Sequence, residues 1–425
     1  MKKLSGISLL NFFLIFLLTF SMAVAQEPNS HGAEVRTLKD FFNGALQNSE
    51  KIAISEQAIR EAQALYRQTL GESLPEFSYR RQTSLEDNSD ASHDGVFRVT
   101  KTDLTGFREL AALQSGRSTV NQRQYQRQRA EQLLLQDVAG AFYGLLLAKE
   151  NVSATKRLIE LAQKRLEELR ERVRVGRTRE ADAIGQEFFI TSLQSQLEES
   201  VRQVSSRANL LSFLAGIEIN DPERITDTPI ISQYNPLEDY LMKIDIRPDV
   251  QAARENMNAA KGLLRVARSQ YFPDLGITAN SYTDRSTSGD DERWDVLLTV
   301  NVPLWDWKGR QAAVDAADSV LNQKEKEWQA LIRQSRLEVR NAYLDHVSAQ
   351  KQLELNEKRV KLARKDYEIQ VEDDQRGVIT NLEVFESLGR LNNVELSLNN
   401  ARLQEKLAAI NLEIVSGGKP DEILK

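Results

Sequence analysis

The sequence predicts a mainly α-helical protein with a small β part, built from two tandem copies of one unit: a helix, a strand pair and a long coiled helical hairpin. Three observations predict it. Landmarks recur about 200 residues apart, far beyond the length of a solenoid unit: Ser73-Leu74-Pro75-Glu76-Phe77 is answered by Tyr271-Phe272-Pro273-Asp274-Leu275, Ala141-Phe142-Tyr143 by Asn341-Ala342-Tyr343, and Val175-Gly176-Arg177-Thr178 by Arg376-Gly377-Val378-Ile379. Nine prolines and 20 glycines among 425 residues are too few for many short loops. A heptad runs through Val152, Ile159, Leu166 and Val173 with Thr155, Ala162 and Leu169, and it returns with its phase kept at Leu353, Val360, Tyr367 and Asp374 with Asn356, Ala363 and Gln370.

Residues 1–25 have the form of a signal peptide. Lys2 and Lys3 precede an apolar run from Ile7 to Phe20, and Ala23-Val24-Ala25 is a small-residue cleavage site before Gln26. Cleavage there would remove two lysines and no acid, taking the formal charge from −6 to −8. That balance argues against nucleic acid as a partner. The chain has no cysteine, so neither disulfides nor a lipidated cysteine can form, and membrane attachment must come from folded structure.

The first copy spans residues 26–216. A helix is expected from Thr37 to Gly71, capped by Thr37 and stopped by Gly71 and Pro75. Extended segments follow at Glu76–Thr83 and Val96–Leu104, joined by the polar connector Glu86-Asp87-Asn88-Ser89-Asp90. From Leu113 to Val175 nothing breaks a helix of roughly 95 Å. After Gly176 the chain returns through Ile190, Leu197, Val201, Val204, Ala208, Leu211 and Ala215 at three–four spacing. Residues 217–248, with Pro222, Pro229, Pro236 and Pro248, read as an irregular linker packed outside the helices. The second copy, 249–418, has the clearer strands: Leu275, Ile277 and Ala279 alternate with polar residues, and Val296, Leu298, Val300 and Val302 share one face. Gly377 turns its hairpin, Gly417-Gly418 ends it, and 419–425 form a tail.

The paired Leu-Pro and Phe-Pro before the strands, the segment Pro303-Leu304-Trp305-Asp306-Trp307-Lys308-Gly309 and the two glycine tips, in this order, resemble the TolC-type outer membrane efflux proteins from about Thr37 to Gly418. The resemblance implies a homotrimer in the outer membrane of a Gram-negative bacterium, with a periplasmic α-barrel and a 12-stranded β-barrel. It implies a passive duct docking on a periplasmic adaptor (membrane fusion protein) and an inner membrane pump of RND, ABC or MFS type. It places Glu383 and Glu386 at the tunnel constriction, gives Asp182 a part in holding the tip helices closed, and makes Gly176, Arg177, Thr178, Arg376, Gly377 and Val378 the docking tips; Asp373 and Asp374 add acid just before the second tip, so Asp374 is counted with the gate. The family's arginine two residues past the second tip glycine is Ile379 here, which leaves Arg376 or Arg177 as partners for Asp182.

The residues themselves also demand an oligomer. Four strands cannot close a barrel, an open edge cannot face lipid, and three chains supply enough strands for closure. Arg80 and Arg81 are adjacent, so one of them belongs at an interface or membrane boundary. Trp305 and Trp307 suit that boundary, and a core or interface position equally well. Nothing points to catalysis, a cofactor or a metal: His31, His93 and His346 are isolated, and Asp290, Asp291 and Glu292 read as a solvated loop. The rival reading is a soluble periplasmic coiled-coil scaffold or adaptor that uses the heptads for protein contacts.

Overall fold

The computed structural model describes residues 36–84, 92–101, 107–227, 235–284 and 293–424. The signal-peptide segment, His31, Leu104, the connector at 86–90 and Asp290, Asp291 and Glu292 lie outside these residues. Helices α1 (Leu38–Asn48) and α2 (Glu50–Glu72) lead to strands β1 (Glu76–Ser84) and β2 (Ser92–Lys101), then the 67-residue α3 (Arg108–Arg174) and α4 (Glu180–Ala215). A 3-10 turn at Pro222–Arg224, α5 (Leu237–Met242) and a second 3-10 turn at Lys243–Ile246 form the linker. The plan then repeats as α6 (Pro248–Ser269), β3 (Asp274–Asp284), β4 (Trp294–Asn301), α7 (Gly309–Gln375) and α8 (Asn381–Val415), followed by α9 (Pro420–Ile423).

The helix expected over Thr37–Gly71 is broken at Ser49, whose ψ of 118° is extended. Its two parts pack in different places. Phe41 and Phe42 of α1 are buried in a core with Phe142, Leu135, Leu145, Leu211 and Ala215, whereas α2 runs along the upper half of α3. Asn48 fixes the bend by donating to the carbonyls of Gly44 and Ala215 at 2.9 and 3.2 Å. Thr37 caps α1 as expected, its N–H and hydroxyl both donating to Asp40 Oδ2 at 2.8 Å.

The helices form a wall one layer thick. Above the middle the lateral order is α2, α3, α6, α7, and below it α4, α3, α8, α7. Burial is therefore lateral, and the upper seam uses small residues so that backbones approach closely. Ala111, Ser115 and Ser118 of α3 meet Ala259 and Gly262 of α6, with Ser115 Oγ donating to the Ala259 carbonyl at 3.0 Å. Lower down, the heptad residues Ile159, Ala162, Leu166 and Leu169, with Leu158 beside them, pack with Ile190, Leu193, Leu388 and Leu391.

The linker packs against the wall, as expected, and its far end adds to the core. Tyr240 and Ile244 are buried against Val339, Ala342 and Leu412. Arg247, 1% exposed, holds the waist together: it donates to Asp249 and Glu338 and to the Val415 carbonyl. The tail is also ordered, because α9 docks Ile423 on the core of α1 and α3.

The four strands make one antiparallel sheet in the order β1-β2-β3-β4, which joins the two copies. Strand β2 begins at Ser92 rather than Val96. Residues opposite one another share a face, so Phe77, Tyr79, Phe97, Val99, Leu275, Ile277, Trp294, Val296, Leu298 and Val300 lie on one side. Ser78, Arg80, Gln82, Arg98, Thr278, Asn280 and Asp295 lie on the other. Adjacent Arg80 and Arg81 thus part: Arg80 joins the polar face, and Arg81 sits on the apolar face near the strand end, opposite Gly95.

The α3–α6 seam sets a testable limit. A Cβ at Gly262 would stand 2.8 Å from Ser115 Cβ and 3.0 Å from the Ala111 carbonyl. Gly262→Val should cost about 1–3 kcal/mol by overpacking. A thermal melt matching that of the wild type would show that the two helices do not meet there.

Candidate gate, tips and sheet

Both hairpin tips are built by the same turn. At the first, Arg177 N–H donates to the Arg172 carbonyl at 2.8 Å and Gly176 N–H to the Val173 carbonyl at 2.9 Å. At the second, Val378 N–H donates to Asp373 at 2.9 Å and Gly377 N–H to Asp374 at 3.0 Å. This is the Schellman closure of a helix end, which needs a left-handed residue. Gly176 and Gly377 supply it with φ of +72° and +78°.

The return helices begin with equivalent acids. Asp182 and Glu383 both occupy the third position of their helix. Glu383 accepts from the Thr380 N–H at 3.0 Å and from the Thr380 hydroxyl, a reciprocal capping box. Those bonds hold its carboxyl below the usual range. Asp182 accepts from the Thr178 hydroxyl and the Arg179 guanidinium, each at 3.0 Å. Burial would raise its pKa, but these donors lower it on balance. A carboxyl depressed on folding stabilises the tip above its unfolded pKa, and that contribution is lost as pH falls through the folded value.

Asp182 is therefore bound within its own tip, not by Arg177 or Arg376. Arg376 turns instead to Glu372 and Asp373 of its own helix at 3.3 and 3.7 Å. A helix-start acid has N-cap donors within reach at no entropic cost beyond the turn itself, so the local pairing wins. Glu386 is exposed, with Arg390 one turn on at 3.9 Å.

Asp374 departs most from its expected place beside Glu383 and Glu386. It is buried, its side chain 5% exposed, and its carboxylate is shared by Arg165 and Arg172 of α3. Arg165, itself 3% exposed, also donates to Asn381 Oδ1 at 3.1 Å and pairs with Glu168. The two halves of the chain are thus tied by an ionic cluster one turn above the tips. Sequence reasoning missed it, although the signal was present: Asp373-Asp374 of the second copy stand where the first has Arg172-Val173.

On the polar face of the sheet, Arg98 Nε donates to Asn280 Oδ1 at 2.8 Å, Asn280 Nδ2 to Asp295 Oδ1 at 2.8 Å, and Tyr282 OH to Asp295 Oδ2 at 2.7 Å. The apolar face is open, with Phe77 at 70% and Leu298 at 64% exposure. Below it stand Trp305 and Trp307, both exposed and 5.9 Å apart edge to face. A water-facing sheet would not carry such a face, which argues against the soluble scaffold.

A long helical wall crowned by an amphipathic sheet is the architecture of outer membrane efflux channels. Residues 244–418 match the family model described as outer membrane efflux protein. The solvent efflux pump outer membrane protein SrpC of Pseudomonas putida is 24% identical over 394 residues, covering 86% of this chain and 83% of its own. The cation efflux system protein CusC of Escherichia coli O157:H7 is 22% identical over 404 residues, covering 90% and 86%. The crystal structure of the outer membrane protein VceC from Vibrio cholerae superposes with a TM-score of 0.78 at 17% identity, over 90% of this chain and 96% of that one. The protein is an outer membrane efflux channel with a periplasmic extension.

Asp374→Asn would leave Arg165 buried with only the half-exposed Glu168 to balance it. Breaking a buried pair costs about 3–5 kcal/mol, and Glu168 favours the lower end. Chemical denaturation should register that loss, whereas Arg170→Ala, which removes an exposed pair with Glu187, should change little. Equal effects from the two variants would contradict the buried tie.

Proposed function

We propose that three copies close this wall and sheet into one channel, a passive exit duct that receives its cargo from an inner membrane pump of RND, ABC or MFS type through a periplasmic adaptor. The observation that carries the reading is the unfinished edge formed by α7. Helices α3 and α7 have 67 residues each, yet the buried residues of α7 are Ser335, Val339, Ala342, His346 and Asp374, against 22 on α3. Leu337 and Leu344, then Leu355, Leu362 and Ile369, form an exposed apolar stripe at heptad spacing. The opposite edge of the wall, on α2 and α4, exposes Ile54, Leu65, Ile184, Phe188 and Phe213. Joining one edge to the other head to tail buries both and generates a ring. The same operation pairs β4 with the β1 of the next copy, leaving no strand edge in lipid.

In that ring the apolar sheet face meets lipid, the polar face lines the lumen, and Trp305 and Trp307 stand at the periplasmic membrane boundary. The tips point away from the membrane. Gly176 and Gly377 face open space among exposed Val175, Arg177, Val378 and Leu382, a surface suited to meeting an adaptor. In mild detergent the particle should have about three times the chain mass, consistent with sheets that close only together. A monomer that conducts in bilayers would refute this assembly.

Glu383 and Glu386 would form stacked carboxylate rings at the tunnel's narrow end. Glutamates about 7 Å apart repel by roughly 0.6 kcal/mol in water and about 2.4 kcal/mol at an effective dielectric near 20. Such rings attract cations, above all multivalent ones that can bridge carboxylates. The double variant E383Q/E386Q keeps a capping-box residue at the helix start while removing both charges. In planar bilayers it should lose most cation preference and most periplasmic-side block by multivalent cations. Unchanged selectivity and block would place the constriction elsewhere.

A further inference from the structure

We propose that the groove between α3 and α6, just below the sheet, is a binding site for the headgroup of an anionic phospholipid of the periplasmic leaflet, with Arg265 and Arg268 taking the phosphate. The groove has a volume of about 290 Å³ and is lined by Phe107, Leu110, Gln114, Arg265, Arg268 and Phe272, with Ala111 and Ser269 at its floor. Its aromatic and aliphatic members are unusually open for side chains of their kind: Phe107 is 79%, Leu110 62% and Phe272 54% exposed. Both arginines are exposed, and none of the described lining residues is acidic. Arg265 donates to Gln114 Oε1 at 2.7 Å, which aims its guanidinium across the seam. Arg268 has a distant counterion, Asp318 on α7 at 3.9 Å.

The groove opens on the outside of the wall. α3 meets α6 through Ala111, Ser115 and Ser118, and meets α2 through Gly116, beside Tyr66, and through Arg127, which pairs with Glu56. At about 100° per residue these two directions are about 140° apart around the helix axis. In a closed ring of helices the narrower arc faces the lumen. It holds Arg108, Ala112 and Thr119, whereas Phe107, Leu110 and Gln114 lie on the wider arc, which faces outward. The sheet agrees: Arg108 and Ala112 share a second cavity with Glu76 and Thr100, which belong to the polar face. The α3–α6 seam lies in the middle of each chain's part of the wall, so joining copies edge to edge leaves the groove uncovered.

Position and chemistry together select the occupant. The groove lies below the apolar sheet face at the start of α3, where Phe107 is the N-cap, as Lys308, directly after Trp307, is the N-cap of α7. Its open rings suit glycerol and upper acyl carbons, and two guanidiniums suit a phosphate diester, which each can bind through paired N–H donors. An uncharged peptide or an apolar solvent molecule would satisfy the apolar part and bring no anion to the two guanidiniums.

This inference rests on the reading that the apolar sheet face meets lipid. The full chain is reconstituted in phosphatidylcholine nanodiscs with a minor fraction of phosphatidylglycerol, and retained lipids are counted by native mass spectrometry after gentle release. Wild type should retain phosphatidylglycerol over phosphatidylcholine, about one molecule per chain, and R265Q/R268Q should lose that preference by roughly tenfold to thirtyfold, in line with about 1 kcal/mol per basic residue at a membrane surface. Both positions are exposed, so the variant should fold and insert like wild type. Insertion without anionic preference in wild type, or an equal preference in the variant, overturns the proposal and leaves the channel reading standing. Failure of wild type to insert at all overturns both. Loss of the bound lipid on adding inorganic phosphate alone would show that the site takes free phosphate, and the lipid assignment would fall.

Discussion

A wall one helix thick can bury side chains only where one helix touches the next. Every other property of this chain follows from that restriction. Because the two broad faces remain open, the hydrophobic contribution per residue is small and must be recovered by length, which is why α3 and α7 run for 67 residues each. Because burial is lateral, the upper α3–α6 seam favours Ala, Ser and Gly, which let backbones approach, while the lower seams interlock Leu and Ile. Because an edge helix has one neighbour, α7 stays half finished in the single chain.

The same restriction explains why polar ties carry so much of the specificity. An apolar seam of repeating small residues could slide by one heptad at modest cost. Two ionic clusters set the register at separate heights. Arg247 binds Asp249, Glu338 and the end of α8 at the waist, and Asp374 binds Arg165 and Arg172 near the tips. Each joins elements from different parts of the chain. A shift of one heptad would leave buried charges without partners, a penalty far above the gain from any alternative apolar contact.

The features legible in the sequence are those that local chemistry dictates. The tip glycines announce themselves because the closing turn needs positive φ, the heptad seam because its period survives two copies, and the sheet faces because alternation is unambiguous in β4. Thr37 was readable as a cap for the same reason. What stayed hidden depends on distant parts of the fold. The break at Ser49 exists because α1 and α2 have different partners, and α9 is ordered only because a core waits for Ile423. Asp182 finds its partners within its own turn, Thr178 four residues and Arg179 three residues before it, rather than across the tips. The burial of Asp374 is hidden from the sequence because its arginines lie some two hundred residues earlier in the chain, in the other copy.

The two tips share one backbone turn but not one surface. After the first glycine come Arg177, Thr178 and Arg179, and after the second come Val378, Ile379 and Thr380. Around a closed ring the ends would therefore alternate, a cationic knob beside an apolar one, on geometrically matched stems. A partner that grips every tip in the same manner must make its grip indifferent to charge, relying on main-chain atoms and shape. A partner that reads side chains instead can seat itself on only every second tip, and its own subunits must then be either half as many or of two kinds.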